Sequence, residues 1–280
     1  MSVGDGMATP RELRREFPSV LDRAYTQYKK YRQVGEIMSR EVVTINPEAT
    51  MDEAARIMGE KHIGSLIVVK EGEPVGIVTE RDLLSHVLAC GRDPKRVKVG
   101  GVMSSPLITI SPTAQIKEAA QTMIKRKGRL AVFDEGRLVG IITASDLIRS
   151  LPEVPETLLK VDDFMTKRVI TADEKTPVAR IAKIMGDRRI GSVIITSKGK
   201  PIGIFTERDL LTTFLARGRP LRIGVGKASS SPLITAPPGT SVHEAASTMA
   251  SKHIRRLPIA KDGELVGIIT ARDLVEAYAK

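Results

Sequence analysis

The chain has 280 residues, a formal net charge of +11, 41% hydrophobic and 28% charged residues, the profile of a folded chain with room for two ordinary domains. One cysteine excludes an internal disulfide framework and fits a reducing, cytoplasmic setting, and no apolar run reaches the ~18–20 residues of a membrane span. The positive charge favours anionic partners, but 3% aromatic content without Trp argues against stacking single-stranded nucleic acid on rings.

Residues 1–33 read as a helical basic extension. Thr9-Pro10-Arg11-Glu12 has the form of a helix start. After Pro18, a second helix is expected up to Gln33, with Val20, Ala24, Tyr28 and Tyr31 on one stripe. Lys29, Lys30 and Arg32 interleave with its tyrosines. Such a helix can pack on its own core or on a second copy, or serve as a docking arm.

From residue 34 the chain repeats itself. Residues 76–84 read GIVTERDLL, 140–148 GIITASDLI, 203–211 GIFTERDLL and 267–275 GIITARDLV. In the first copy, 42–46 is a short extended segment ended by Pro47. Thr50 and Glu53 frame a helix start, and Ala54, Ile57 and Met58 follow at helical spacing as far as His62-Ile63-Gly64. Residues 65–69 form an apolar strand, Glu71-Gly72 a turn, 74–79 a return strand, and Glu80 opens a helix ending near Cys90. Cys90 is expected to be a buried apolar residue. The unit is therefore β-α-β-β-α, an α+β fold, with copies at 34–90, 101–150, 161–217 and 227–280. Copies one and three share IGS and TERDLL; copies two and four share GIIT and an arginine before the strand. The chain is a pair of pairs, with a linker at 150–160 containing Pro152 and Pro155. A unit of ~50–60 residues has a marginal core alone, so the copies should pack in twos.

With its hairpin and G-h-h-T-x-x-D-L signature in four copies, the sequence from Gly35 to Lys280 resembles the cystathionine-β-synthase (CBS) domain family. The four-copy arrangement is similar to that of γ subunits of AMP-activated kinases and of stand-alone archaeal proteins. The resemblance implies that two units pack through their sheets as a Bateman module, and that two modules can form a disk. Its clefts would bind AMP, ADP, ATP or S-adenosylmethionine as regulatory ligands.

The resemblance assigns the motif aspartates Asp82, Asp146, Asp209 and Asp273 to ribose hydroxyls, and Thr79, Thr143, Thr206 and Thr270 to the phosphate side. A carboxylate can accept from two vicinal hydroxyls, and a hydroxyl at a helix start sits in a field favourable to phosphate. Ser145 adds a hydroxyl in copy two, where Arg81, Arg208 and Arg272 stand in the others. The segment before the middle strand would carry basic residues to phosphates: Arg255, Arg256 and Pro258 in copy four, Gly128 and Arg129 in copy two. Copies one and three offer Gly64-Ser65 and Gly191-Ser192, without a basic side chain. The clefts are therefore expected to differ, those served by Arg129, Arg255 and Arg256 favouring phosphorylated ligands. The alternatives are plain: each aspartate can be an N-cap, the motif arginines can pair with Glu80 and Glu207, and His62 and His253 can simply end helices.

No H-E-x-x-H, G-x-S-x-G, P-loop or GxGxxG pattern occurs. The expectation is a non-catalytic, metal-free adenine-nucleotide sensor acting on an effector protein in trans, with a homodimer allowed but not required. One alternative is nucleic-acid binding through the N-terminal arm and the basic loops around Lys95, Arg96, Lys98 and Arg217, Arg219, Arg222, Lys227. Another is a sensor of S-adenosylmethionine.

Overall fold

The computed structural model describes residues 33–126, 128–150 and 159–279. The helices expected over 1–32, and Pro152 and Pro155 of the linker, lie outside these residues. Four two-residue turns organise the rest. Glu71-Gly72, Glu135-Gly136, Lys198-Gly199 and Asp262-Gly263 all have positive φ at both positions, the twist that closes a tight hairpin. They join β2 (Ser65–Lys70) to β3 (Glu73–Thr79), β5 (Leu130–Asp134) to β6 (Arg137–Ile142), β8 (Ser192–Ser197) to β9 (Lys200–Thr206), and β10 (Arg256–Lys261) to β11 (Glu264–Thr270).

A short parallel strand completes three sheets: β1 (Thr44–Ile45) beside β2, β4 (Thr109–Ile110) beside β5, and β7 (Thr171–Asp173) beside β8. In the fourth repeat that strand shrinks to one bridge between Ala236 and Ile259. Pro237 and Pro238 follow Ala236, and Pro258 lies opposite; a proline cannot donate to a ladder.

The first helices of the four repeats are α1 (Met51–Glu60), α3 (Ile116–Arg126), α5 (Val178–Arg188) and α7 (Val242–Ser251). Thr50 and Ser241 cap two of them by accepting from the Glu53 and Glu244 amides. The second helices differ by type. In repeats one and three, α2 (Glu80–Asp82) and α6 (Glu207–Asp209) pass at once into π-helical turns, Leu83–Leu88 and Leu210–Leu215. In repeats two and four, α4 (Ala144–Ser150) and α8 (Ala271–Ala279) stay α-helical. Cys90 follows the first π-helical turn and is exposed, contrary to the sequence expectation of burial.

Within each half the repeats exchange sheet edges. Ser104 bridges Ile77 of repeat one while Ser39 bridges Ile141 of repeat two; Ser230 with Ile204 and Thr166 with Ile268 repeat this in the second half. The signature glycines make room for the incoming chain: a Cβ at Gly76 would lie 2.8 Å from the Ser104 carbonyl oxygen, and one at Gly203 2.6 Å from that of Ser230.

Helices then join the halves, repeat one to three and two to four. α1 packs on Leu210–Leu215, α5 on Leu83–Leu88, and α8 on α3. The apolar clusters follow that division: Val132, Leu147, Leu257 and Leu274 share one, Leu211 enters the core of repeat one, and Leu84 enters that of repeat three. Gly59 and Gly186 permit the contact, because Cβ atoms there would lie 2.7 Å from Ala216 Cβ and 2.5 Å from Ala89 Cβ.

Candidate functional site

Each signature threonine ends a strand, and its aspartate lies three residues on, in the first helical turn. The Thr79 amide and hydroxyl donate to Asp82 Oδ2 at 2.8 and 2.7 Å, and the Asp82 amide returns to Thr79 Oγ1 at 3.3 Å. Thr143 and Asp146, Thr206 and Asp209, and Thr270 and Asp273 repeat the amide and hydroxyl bonds. The motif is thus a capping box with aspartate in the usual glutamate place, and it consumes one carboxylate oxygen and the threonine proton. Burial raises Asp82, Asp209 and Asp273 above the ordinary aspartate pKa, against the lowering effect of the threonine bonds. The second oxygens differ. Asp146 Oδ1 accepts from Arg149, whereas Asp82 Oδ1 has no hydrogen-bond donor among the described residues.

The segment before the middle strand does something the sequence reading missed. Arg256 reaches back to repeat three and donates to Glu207 Oε2 at 2.8 Å. It lies over Gly191, where a Cβ would fall 1.7 Å from its Nη2. Arg129 lies over Gly64 beside Glu80 in the same way, with its Nη2 2.8 Å from where a Gly64 Cβ would stand. The glycine of IGS and the glutamate of TER in one repeat therefore form the receptor for the arginine of its neighbour. Repeats two and four put Ala144 and Ala271 where the glutamates stand.

Two further arginines cross between halves. Arg81 of repeat one lies 3.6 Å from Glu207, and Arg255 of repeat four lies 4.0 Å from Glu80. Burial tends to raise the Glu207 carboxyl, but Arg256, Arg81 and Arg129 outweigh it and hold the group below the ordinary glutamate value. Burial also lowers the Arg129 guanidinium, with Glu80 opposing. Glu80 Oε1, Glu207 Oε1 and Arg208 Nε remain buried without a hydrogen-bond partner.

Two cavities flank this ionic centre. The first, about 560 Å³, runs from Thr79 and Asp82 of repeat one past Glu80, Arg129 and Arg255 to Ser192 and Thr270 in the second half. The second, about 460 Å³, is bounded by Gly64, Ser65, Thr143, Ser145 and Asp146 of the first half and by Arg208, His253 and Arg255 of the second. Ile67, Ile141 and Ile148 supply its apolar wall. His62 and His253 hold the left-handed conformation that ends their helices, and both line it.

The expected residues are thus gathered unequally. Arg81, Gly128, Gly191 and Arg272 line the first cavity, and Arg129 lines both. Asp209, Asp273 and Thr206 line neither. Pro258 lies inside β10, facing Ala236, and not in a segment ahead of the strand; it lines neither cavity. Arg256 also begins that strand, already bound to Glu207. Unforeseen lining residues are Glu80, Glu207, Arg126, Arg168 and Arg189. The shared distribution of TER with IGS, against GIIT with arginine, was the available signal for the two glutamates. No group of three or more His, Cys, Asp or Glu suited to a metal occurs among the described residues, and none of their helices is long and apolar enough to cross a membrane.

Comparison with known proteins gives the same unit. The CBS domain family model matches residues 34–89, 99–153, 161–216 and 225–280. Protein MJ1225 of Methanocaldococcus jannaschii is 33% identical over 197 residues, covering 65% of this chain and 69% of its own. Protein MK0525 of Methanopyrus kandleri is 39% identical over 128 residues, covering 45% of this chain and 65% of its own. The chain thus spans about two thirds of the length of these relatives. The crystal structure of MJ1225, described as a proposed archaeal homologue of γ-AMPK, superposes with a TM-score of 0.74 at 25% identity, over 88% of this chain and 99% of that one. A Pyrococcus horikoshii protein superposes with a TM-score of 0.61 at 27% identity, over 88% and 99%.

Proposed function

The chain belongs to the CBS-domain family, and from that premise we propose that it binds AMP, ADP or ATP between paired repeats and signals the occupied state to a partner protein. CBS-domain proteins of this kind are regulatory, and MJ1225 carries the likeness to the kinase γ subunit. The observation that carries the reading is Asp82: a half-capped carboxylate in the wall of a cavity rich in arginine. Its free oxygen suits ribose hydroxyls. The apolar side chains of Ile77, Ile108 and Met123 supply a slot for a flat base, and Arg255 supplies positive charge for phosphate.

In this reading Arg256 and Arg129 hold paired repeats together first and act on phosphate only through the field they create. Signalling would follow from a ligand that favours one arrangement of the two halves, by no more than its differential affinity. The test is a thermal-unfolding series on nucleotide-stripped protein with AMP, ADP, ATP and S-adenosylmethionine. At a hundredfold excess over Kd a ligand adds about 2.7 kcal/mol, a clear rise in Tm. The adenine nucleotides should raise Tm, and Arg255→Ala should diminish that rise. A rise with S-adenosylmethionine alone, unaffected by Arg255→Ala, would instead identify a phosphate-free ligand.

A further inference from the structure

Repeats one and three meet along a local twofold. α1 packs on Leu210–Leu215 as α5 packs on Leu83–Leu88, and Gly59 faces Ala216 as Gly186 faces Ala89. Contacts returned in this way mark a twofold axis. Each π-helical turn runs on into a basic loop, residues 91–98 and 217–227. Both loops are pinned to the start of a first helix. The Met51 and Asp52 amides of α1 donate to the Val97 and Pro94 carbonyls, and the Val178 and Ala179 amides of α5 donate to those of Ile223 and Leu221. The loop at 91–98 thus sits at the N-terminus of α1, and the loop at 217–227 begins beside Gly59 near its other end. Neither loop lines a cavity, so this edge stands apart from the nucleotide reading.

Positive charge is concentrated in these loops. Arg217, Arg219, Arg222 and Lys227 are exposed, and no Asp or Glu occurs between Asp209 and Glu244. Glu174 meets that loop through its backbone, and its carboxylate accepts from Ser197 Oγ. In the first loop Arg96 lies 3.8 Å from Asp93 and Lys98 pairs with Glu48. Arg92 and Lys95 are exposed there without a carboxylate partner among the described residues. The helix faces between the loops are balanced: Glu53, Arg56 and Glu60 on α1, Arg180, Lys183 and Asp187 on α5.

We propose that this edge docks the phosphate backbone of a double-stranded nucleic acid, one strand at each loop. A duplex has twofold axes across its grooves, so a twofold protein surface can meet both strands alike. The helix rise from Met51 to Gly59 is ~12 Å, comparable to a major groove ~12 Å wide. Phosphate contacts need no base readout, and the loops present arginines suited to them. The scarcity of aromatic residues disfavours a single strand, which is held largely by stacking.

The test is fluorescence-anisotropy titration of the full chain against labelled duplexes of about 20 base pairs, two helical turns, in DNA and in RNA. A single strand of the same sequence and a polyglutamate chain are the competing probes. Each titration is repeated over a range of salt concentrations and on two double variants, Arg219→Ala with Arg222→Ala, and Arg92→Ala with Lys95→Ala. Circular dichroism with thermal unfolding checks that each variant is folded. At least one duplex should bind, with log K falling linearly in log salt at a slope steeper than about −3. Each double variant should weaken binding about tenfold or more and make the slope shallower by about 2. No binding of either duplex at low salt, or unchanged affinity and slope in either folded variant, would overturn the proposal. So would a single strand bound as tightly as the duplexes. Polyglutamate bound as tightly, with the same loss in the variants, would overturn it in favour of an acidic protein segment.

Discussion

Repeats one and three carry serine and glutamate where repeats two and four carry arginine and alanine, and the arginines of one set fit against the glycine and glutamate of the other. Gly191 leaves the space that Arg256 fills, and Glu207 supplies its charge partner. Gly64, Glu80 and Arg129 occupy the corresponding places in the first half. Differences among copies of one unit are thus complementary surfaces, which specify which repeat meets which. The same comparison shows where symmetry stops. Arg255 has no basic counterpart in repeat two, where Gly128 occupies its place.

The most severe way to break this fit is to remove one member of the buried pair. Glu207→Ala should cost about 3–5 kcal/mol by leaving the Arg256 guanidinium uncompensated. Urea unfolding of Glu207→Ala, Arg256→Ala and the double variant should show strong coupling, with the double variant less unstable than the single effects sum to. Additive losses would separate the two residues energetically.

Next in size are the glycines. Gly186→Ala should cost about 1–3 kcal/mol, since the new methyl meets the Leu84 carbonyl oxygen at 2.6 Å and Ala89 Cβ at 2.5 Å. Gly191→Ala should also destabilise, but less in an Arg256→Ala background, where the obstructing guanidinium is gone. An equal cost in both backgrounds would refute the fit between glycine and arginine.

Acid sensitivity should be smaller and of two signs. Glu207 sits below its ordinary pKa of 4.5 when folded, so its stabilisation is present above 4.5 and lost as pH falls through the depressed folded value. Asp82, Asp209 and Asp273 lie above 3.8. Their contribution is present below 3.8 and lost as pH rises through the raised folded values. Glu207→Gln should therefore flatten the acid limb of a stability-against-pH curve, whereas Asp82→Asn should steepen it. The smallest expected effect is at the second cavity: Arg149→Ala frees Asp146 Oδ1 and should raise AMP affinity there a few fold, measured by calorimetry.

Local structure was legible in the sequence because short-range chemistry decides it. The turns at Glu71-Gly72 and Asp262-Gly263 need only their own residues, and the signature places Thr79 beside Asp82 in any helix start. The site was less legible because its central contacts join residues far apart in the chain. Arg256 reads as a phosphate ligand until Glu207, 49 positions away, is seen to hold it. Nor does sequence distance reveal that Thr79 and Thr270 face one cavity. The first strand of repeat four failed for a local reason that was visible, the prolines around Ala236, and the pattern of the other three copies overrode it.

The central claim is that a signature aspartate holds a ligand through the oxygen its cap leaves free. Asp82→Asn keeps an oxygen acceptor for Thr79 and removes the charge, so calorimetric titration of stripped wild type and Asp82→Asn with AMP tests it directly. The account predicts saturable binding in the wild type and loss of at least one site in the folded variant. Absence of heat in the folded wild type, or the same stoichiometry and affinity in Asp82→Asn, would contradict it and leave the aspartate as a helix cap alone.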